Sequence, residues 1–229
     1  AEQDAARARM AAVGEQVLAD AEPGSSRALH AARLVARTTD DVERRLVPWA
    51  EGRDLPAGLE GDADFRWILL GQLSRRGLIG APEIDAALEQ DRTMTGQLGA
   101  LTARAAIPTA EAKAAAWADL TTNRERSNYE LVAIAAGFWG PQDRTLVAPY
   151  VSRYFTDIPP MTAWLGEDAL SRVASMAYPS RFVSDETLAH SRAALAGELQ
   201  QGVRRAIVDA QSELEEALAS RRAFPPASA

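Results

Sequence analysis

Apolar residues recur at helical spacing along this chain, and nowhere do they alternate with polar residues as they do in strands. Steps of three and four residues place side chains on one face of a helix, whereas a half-buried strand needs steps of two. Alanine fills 47 of the 229 positions, and valine and isoleucine together fill 19. That balance favours helix over strand. The sequence therefore predicts an all-α fold.

Polar residues that can accept a hydrogen bond from an unpaired backbone amide mark the predicted helix starts. These are Ser25, Asp62 or Asp64, Thr109, and two capping boxes, Asp40 with Glu43 and Ser127 with Glu130. Pro82 fits the first turn of a helix, where no amide hydrogen is needed. Pro48 and Pro149 lie inside helical patterns and predict kinked or shortened helices.

About a dozen short helices in series exceed what one bundle core can hold. The sequence therefore predicts antiparallel helix pairs stacked like HEAT or armadillo repeats in a right-handed superhelix, irregular because no clean repeat is visible. The Gly- and Pro-rich stretch 51–61 is the best linker candidate. We therefore expect a helical lead-in segment over residues 1–60, a main helical domain over 61–224 and a disordered tail over 225–229.

Composition and charge disfavour several classes of function for this chain. The net charge of −7 disfavours a general nucleic-acid surface. No apolar run is long enough to span a membrane. Cysteine is absent, and the chain opens with neither Met nor a signal peptide. We expect a cytoplasmic fragment or processed chain that binds neither nucleic acid nor membrane.

Catalytic motifs are missing from the sequence. Its two histidines, His30 and His190, do not form the His-Glu-x-x-His pattern that places two zinc ligands on one helix face. There is no Gly-rich phosphate loop, no nucleophile elbow and no cysteine nucleophile. We expect the chain by itself to bind no cofactor and to be catalytically inactive.

Large aromatic and basic residues mark the central helices. Trp67, Trp117 and Trp139 lie on or beside apolar stripes, which predicts that they pack between helices. The central helices also contain the basic residues Arg66, Arg104, Lys113 and Arg124. A charge on a helix is most often solvated, so each of them taken singly fits an ordinary surface position.

An ordered series of short motifs resembles the C-terminal domain of aminopeptidase N, which is also found in antigen-trimming aminopeptidases. The motifs comprise Arg66-Trp67, Gly77, Glu83-Ile84-Asp85, Asp91 with Thr93 and Gly96, Ala103-Arg104, Pro108-Thr109, Glu111 with Lys113, and Trp117. Gly137-Phe138-Trp139, Pro149-Tyr150 and Arg153-Tyr154-Phe155 are similar to the actinobacterial alanyl aminopeptidases. The resemblance extends over essentially the whole chain.

The resemblance implies a non-catalytic part of a zinc-dependent enzyme that removes N-terminal residues from peptides. In that family the zinc and its ligands belong to a preceding catalytic domain, which would be this chain's partner in the same polypeptide. The helical domain forms a bowl that encloses the active-site cavity and can contact peptide substrates. Arg104 or Lys113, with Arg66 and Arg124 as second choices, would then bind the C-terminal carboxylate of a peptide.

Two other interpretations of the sequence stay open. A free-standing helical-repeat scaffold would bind partner proteins on its concave face. A helical transcription regulator fits less well, because the chain is acidic and lacks a basic recognition helix.

Overall fold

The computed structural model describes residues 2–140 and 144–225 of the chain, and every regular element in them is helical. The predicted all-α fold is confirmed. The chain forms two compact units, Ala1–Ile107 and Pro108–Ala229. Most of the predicted tail, residues 226–229, lies outside the described residues.

The described residues of the first unit, 2–107, form six α-helices and one π-helical turn. They are α1 (Glu2–Asp20), α2 (Ser26–Thr38), the π-helical turn Val42–Leu46, α3 (Val47–Ala50), α4 (Ala63–Arg75), α5 (Ala81–Gln90) and α6 (Met94–Ala106).

In the second unit, residues 108–140 and 144–225 are described, and they form six α-helices and two short 3₁₀ turns. They are α7 (Ala110–Thr122), α8 (Asn128–Phe138), the 3₁₀ turn Arg144–Leu146, α9 (Pro149–Asp157), the 3₁₀ turn Pro159–Ala163, α10 (Glu167–Ala177), α11 (Asp185–Ala196) and α12 (Gln201–Ala223). No helix in the described residues combines the length and the apolar character needed to cross a bilayer.

Most of the predicted helix caps are confirmed. Side-chain oxygens of Ser25, Asp62 and Thr109 accept hydrogen bonds from backbone amides three residues later, at 3.1, 2.7 and 3.2 Å. Ser127 and Glu130 form both halves of a capping box, with Glu130 Oε2 2.9 Å from the Ser127 amide. Each cap satisfies donors that the first helical turn leaves unpaired.

The predicted capping box at Asp40 and Glu43 is wrong by one residue. The π-helical turn begins at Val42, so the capping position falls on Asp41, whose Oδ1 accepts from the amide of Arg44 at 3.3 Å. The Thr39 hydroxyl in turn accepts from the amide of Asp41 at 3.0 Å and holds it there. Asp40 is left exposed and pairs with Arg7.

The two prolines act at helix starts. Pro48 lies in the first turn of α3, which ends after four residues, so the predicted shortening is confirmed. Pro149 is the first residue of α9. The prediction that it kinks a longer helix is wrong, because Leu146 belongs to a separate 3₁₀ turn. A proline ring is tolerated at a helix start since the amide there has no helical acceptor.

Within each unit, alternate helices pack against one another. In the first unit α2 contacts α4, and α4 contacts α6. In the second unit α8 contacts α10, and α10 contacts α12. Neighbours in the chain also pair, as α1 with α2, α5 with α6, α7 with α8 and α11 with α12. Contacts to both the next helix and the one after it are typical of stacked helix pairs, and the superhelical bowl stays a prediction.

The segment 51–61 packs inside the first unit, and the predicted boundary at residues 60 and 61 also falls there. Leu59 is buried in a core with residues of α2, α3 and α4. Gly24 donates its amide to the carbonyl of Ala57 at 3.0 Å. A Cβ on Gly58, which has φ +86°, would lie 2.5 Å from the backbone of Gly24. Only glycine combines that dihedral with such close backbone contact.

The predicted burial of Trp67, Trp117 and Trp139 is confirmed, with 6%, 0% and 7% of their surface exposed. Trp67 on α4 packs directly over Gly99 on α6. A Cβ built on Gly99 would overlap the indole ring and lie 2.8 Å from Cβ of Trp67. The missing side chain of Gly99 is therefore what lets α4 and α6 approach.

We expect Gly99→Ala and Gly71→Ala to change stability in opposite directions. Gly99→Ala forces a methyl group into Trp67 and should destabilise the protein by about 1–3 kcal/mol. Gly71 lies inside α4 with no atom within 4 Å of its built Cβ. Gly71→Ala should therefore stabilise the protein by about 0.5–1 kcal/mol, because alanine is the better helix former.

Urea or thermal unfolding of the two variants beside wild type measures both effects. Equal midpoints for the two variants would contradict the close approach of α4 and α6 at Gly99.

Candidate functional site

Each compact unit contains two of the four predicted substrate-binding cations. Arg66 lies on α4 and Arg104 on α6, in the first unit. Lys113 lies on α7 and Arg124 in the turn between α7 and α8, in the second unit. Their surroundings differ, and those surroundings decide which of them can bind a ligand.

Arg104 forms an ion pair with Asp85 of α5 and keeps 37% of its side chain exposed. It lies in the last turn of α6, where a cation interacts favourably with the helix dipole. Exposed pairs of this kind are weak, worth about 0.2–1 kcal/mol. A ligand carboxylate can therefore replace Asp85 at small cost.

Arg66 also reaches α5, since its Nη2 donates to Oε1 of Gln90 at 2.7 Å. It lines an open cleft of about 440 Å³ in the first unit. The acidic lining residues of this cleft are Glu51, Glu60, Asp62 and Asp91. With a single arginine among four carboxyl groups, this cleft repels an anionic ligand.

Two side-chain hydrogen bonds fix the carboxyl group of Asp91 in the wall of this cleft. Hydrogen bonds donated by the Thr93 hydroxyl, at 2.6 Å, and the Trp67 indole Nε1, at 2.8 Å, lower the pKa of its carboxyl group. Hydrogen bonds to the ionised form stabilise that form. Asp91 therefore stays negative at neutral pH and reinforces the acidity around Arg66.

Lys113 is fully buried in α7, with none of its surface exposed. Its Nζ donates to the carbonyl of Phe138 at 2.8 Å and lies 5.2 Å from the centre of the Phe138 ring. Phe138 is the last residue of α8, so the ammonium group satisfies a carbonyl that the helix end leaves unpaired. As folded here, Lys113 presents no surface to a peptide.

Arg124 is exposed in the turn between α7 and α8. Its neighbour Arg126 is held instead, because its guanidinium group donates to Asp119 at 2.9 Å and to Glu130 at 2.8 Å. The two arginines of this turn therefore have different structural roles. Arg126 fixes the turn, and Arg124 extends from it into solvent.

Arg153 on α9 is a partly exposed cation that belongs to one of the family motifs but was not among the four predicted binding residues. Its guanidinium group lies 5.1 and 5.8 Å from the ring centres of Tyr150 and Trp117, and its Nε donates to Asp157 at 3.0 Å. The spacing of Arg153 and Asp157, four residues apart on one helix, was the available signal.

The described residues do not provide a zinc site. Within residues 2–140 and 144–225, no three His, Cys, Asp or Glu side chains group closely enough to hold a metal ion. His30 Nδ1 donates to the carbonyl of Ser26 at 2.6 Å. His190 stacks on the ring of Phe155 with a centroid distance of 5.7 Å. His30 thus lies within α2 and His190 within α11.

We expect Lys113→Met to destabilise the protein by about 1–3 kcal/mol, because the Phe138 carbonyl loses its buried donor. The matched control is Arg124→Met, which also replaces a cation by methionine but at an exposed position of the same unit. It should stay within about 0.5 kcal/mol of wild type. Chemical denaturation measures both, and an unchanged midpoint for Lys113→Met would contradict a structural role for the ammonium group.

Comparison with known proteins agrees with the predicted resemblance. The family model described as ERAP1-like C-terminal domain matches residues 11–216. Aminopeptidase N of Streptomyces lividans is 34% identical over 206 residues, which cover 89% of this chain and 24% of that protein. The chain thus spans about a quarter of the length of this relative. The predicted resemblance to the C-terminal domain of aminopeptidase N is confirmed, and the chain belongs to the ERAP1-like C-terminal domain family.

Proposed function

We propose that this chain is the non-catalytic C-terminal domain of a zinc-dependent aminopeptidase. The observation that carries the proposal is the match to Aminopeptidase N, which covers 89% of this chain but only 24% of the relative. The catalytic domain would precede the chain in the same polypeptide and would contain the zinc ligands that the described residues do not supply. The proposed location is the cytoplasm, which the absence of cysteine supports.

The proposed role of the domain is to enclose the active-site cavity and to hold the end of the peptide that is not cleaved. A peptide with a free N-terminus ends in a carboxylate at its other end. Arginine binds carboxylates through two parallel hydrogen bonds. Exposed arginines on a wall of the cavity would therefore select peptides over single amino-acid derivatives.

Arg104 and Arg124 are the strongest candidates for this role. Arg104 is held by one weak, partly exposed ion pair with Asp85, and Arg124 is exposed. Arg66 ranks lower because carboxyl groups surround it. Lys113 ranks last because its ammonium group is enclosed.

The full-length polypeptide should release N-terminal residues in a zinc-dependent reaction, and the 229-residue chain by itself should not. The reason is that activation of water by a metal needs three protein ligands in one place. The assay is release of a fluorophore from an alanyl or leucyl derivative, with and without a chelator. Circular dichroism of the 229-residue chain verifies that it is folded and helical.

Zinc-dependent turnover by the 229-residue chain would overturn its non-catalytic role. A full-length polypeptide that binds partner proteins but cleaves no peptide would favour the scaffold interpretation instead.

We expect Arg104→Ala or Arg124→Ala in the full-length enzyme to lower kcat/KM for a free-acid peptide by about ten- to a hundredfold. That range corresponds to the loss of a charge-assisted hydrogen bond worth about 1.5–3 kcal/mol. The same peptide with an amidated C-terminus lacks the charge, so its kcat/KM should not change. Asp85→Asn frees Arg104 and should raise kcat/KM for the free-acid peptide by roughly two- to fivefold.

Arg92→Ala is the matched control, since Arg92 is also an exposed arginine of the first unit and pairs with Glu89 at the end of α5. It should leave both peptides unaffected. If a variant changes both peptides equally, or neither, that arginine does not bind the carboxylate.

A further inference from the structure

The guanidinium group of Arg153 on α9 lies in a notch between two aromatic rings of the second unit. Its central carbon is 5.1 Å from the ring centre of Tyr150 and 5.8 Å from that of Trp117. The two ring centres are themselves 5.2 Å apart. A guanidinium group within about 6 Å of a ring centre is attracted to the face of that ring. Contact with both rings therefore fixes the position of this cation, although 49% of the side chain is exposed.

Asp157 fixes the orientation of the same guanidinium group. Its Oδ2 accepts hydrogen bonds from Nε of Arg153 at 3.0 Å and from the indole Nε1 of Trp117 at 2.8 Å. The Thr156 hydroxyl donates to its other oxygen, Oδ1, at 2.9 Å. Burial by itself raises the pKa of the Asp157 carboxyl group, but these hydrogen bonds outweigh burial and lower it. The carboxylate therefore stays ionised at neutral pH and holds the Nε edge of Arg153.

The two terminal nitrogens of Arg153, Nη1 and Nη2, are left for another acceptor. Neither of them donates a hydrogen bond to a residue in the described part of the chain. Arg104 and Arg126 differ, because Arg104 uses Nη2 for Asp85 and Arg126 uses both terminal nitrogens. The planar fork of an arginine binds the two oxygens of a carboxylate through parallel N–H groups. Arg153 therefore presents a fork that is already oriented and has its donors available.

Tyr150, whose ring lies under this fork, adds a second polar group. Only 9% of its surface is exposed, yet its hydroxyl group has no hydrogen-bond partner among the described residues. The other two buried tyrosines of the unit differ, since Tyr154 donates to the carbonyl of Ala174 at 2.9 Å and Tyr178 pairs with Ser191 at 2.7 Å. A buried tyrosine hydroxyl normally has a partner. The partner of Tyr150 is therefore a group that the described residues do not supply.

We propose that Arg153 and Tyr150 form a binding site for a carboxylate group of a peptide, which is either an acidic side chain or the chain end. The fork of Arg153 donates two hydrogen bonds to the carboxylate oxygens, and the Tyr150 hydroxyl can donate a third. Packing holds both side chains before a ligand arrives, so little side-chain freedom is lost on binding. This inference deepens the proposed function, on which it rests for the choice of peptides as ligands.

Binding of labelled peptides to the full-length polypeptide tests the site, with zinc removed by a chelator so that no peptide is cleaved. Fluorescence anisotropy gives Kd for three peptides that differ only in their carboxylates. The first has a glutamate side chain and an amidated end, and the second has glutamine in its place and a free-acid end. The third has glutamine and an amidated end, so it has no carboxylate.

We expect Arg153→Gln to raise Kd for a carboxylate peptide by about ten- to a hundredfold, because charge-assisted hydrogen bonds are lost. Arg153→Lys keeps the charge but not the fork and should raise Kd by about three- to tenfold. Tyr150→Phe keeps the ring but not the hydroxyl and should also raise Kd by about three- to tenfold. The third peptide should bind each of these variants within about twofold of wild type.

Arg205→Gln and Tyr129→Phe are the matched controls in the same unit. Arg205 also lies four residues before an aspartate on its helix, with its Nε 3.8 Å from Asp209. Its side chain is 82% exposed, and no aromatic ring of the described residues contacts it. Tyr129 is 60% exposed, so its hydroxyl is solvated. Both controls should leave Kd for all three peptides within about twofold of wild type.

Each outcome decides the proposal. A loss of binding confined to the carboxylate peptides supports the site, and the peptide affected, glutamate or free acid, identifies the source of the carboxylate. Equal losses for the third peptide, no loss for any peptide, or a polypeptide that binds none of them would overturn it. Zinc-dependent cleavage is assayed in parallel. Binding through Arg153 without cleavage would count against the proposed function alone, and cleavage with binding that ignores Arg153 would count against this inference alone.

Discussion

Most helices in the described part of this protein are too short to be stable alone, and the rest of the structure follows from that constraint. Helix α5 has ten residues and α9 has nine, whereas an isolated helix needs about 12–15 residues to be even marginally stable in water. Each helix must therefore bury an apolar face and have its ends satisfied. Contacts between alternate helices provide the first. Side-chain caps such as Ser127 with Glu130 provide the second.

Three buried tryptophans allow these short helices to pack tightly because the indole N–H of each of the three has a hydrogen-bond acceptor. Trp67 donates to Asp91, Trp117 to Asp157 and Trp139 to the carbonyl of Ala177, at 2.8, 2.8 and 2.7 Å. A buried N–H without an acceptor would cost about 1–3 kcal/mol. Each of the two aspartates contacts both a buried tryptophan and a surface arginine or its surroundings. Asp91 lines the cleft beside Arg66, and Asp157 accepts a hydrogen bond from Arg153. The packing that stabilises the fold thus also sets the charges available to a ligand.

The four candidate cations differ in what surrounds them more than in their place along the chain. Lys113 is enclosed at a helix end, and Arg66 is surrounded by carboxyl groups. Arg104 holds a weak ion pair, and Arg124 extends into solvent. These differences decide which of the four side chains is accessible for the proposed binding of a peptide carboxylate.

The sequence by itself determined the helices, most of their caps and the family, because periodicity and capping are local properties of neighbouring residues. Ser25, Asp62 and Thr109 could be assigned from a few residues of context. The cap was predicted at Asp40 in place of Asp41 because the neighbouring residues do not indicate that a π-helical turn begins at Val42. Only the tertiary structure decided that Lys113 is enclosed and Arg124 exposed, and that Gly99 admits the ring of Trp67. Burial and ion pairing depend on residues distant in the chain, such as Phe138 for Lys113, and no local pattern records which distant residues will meet.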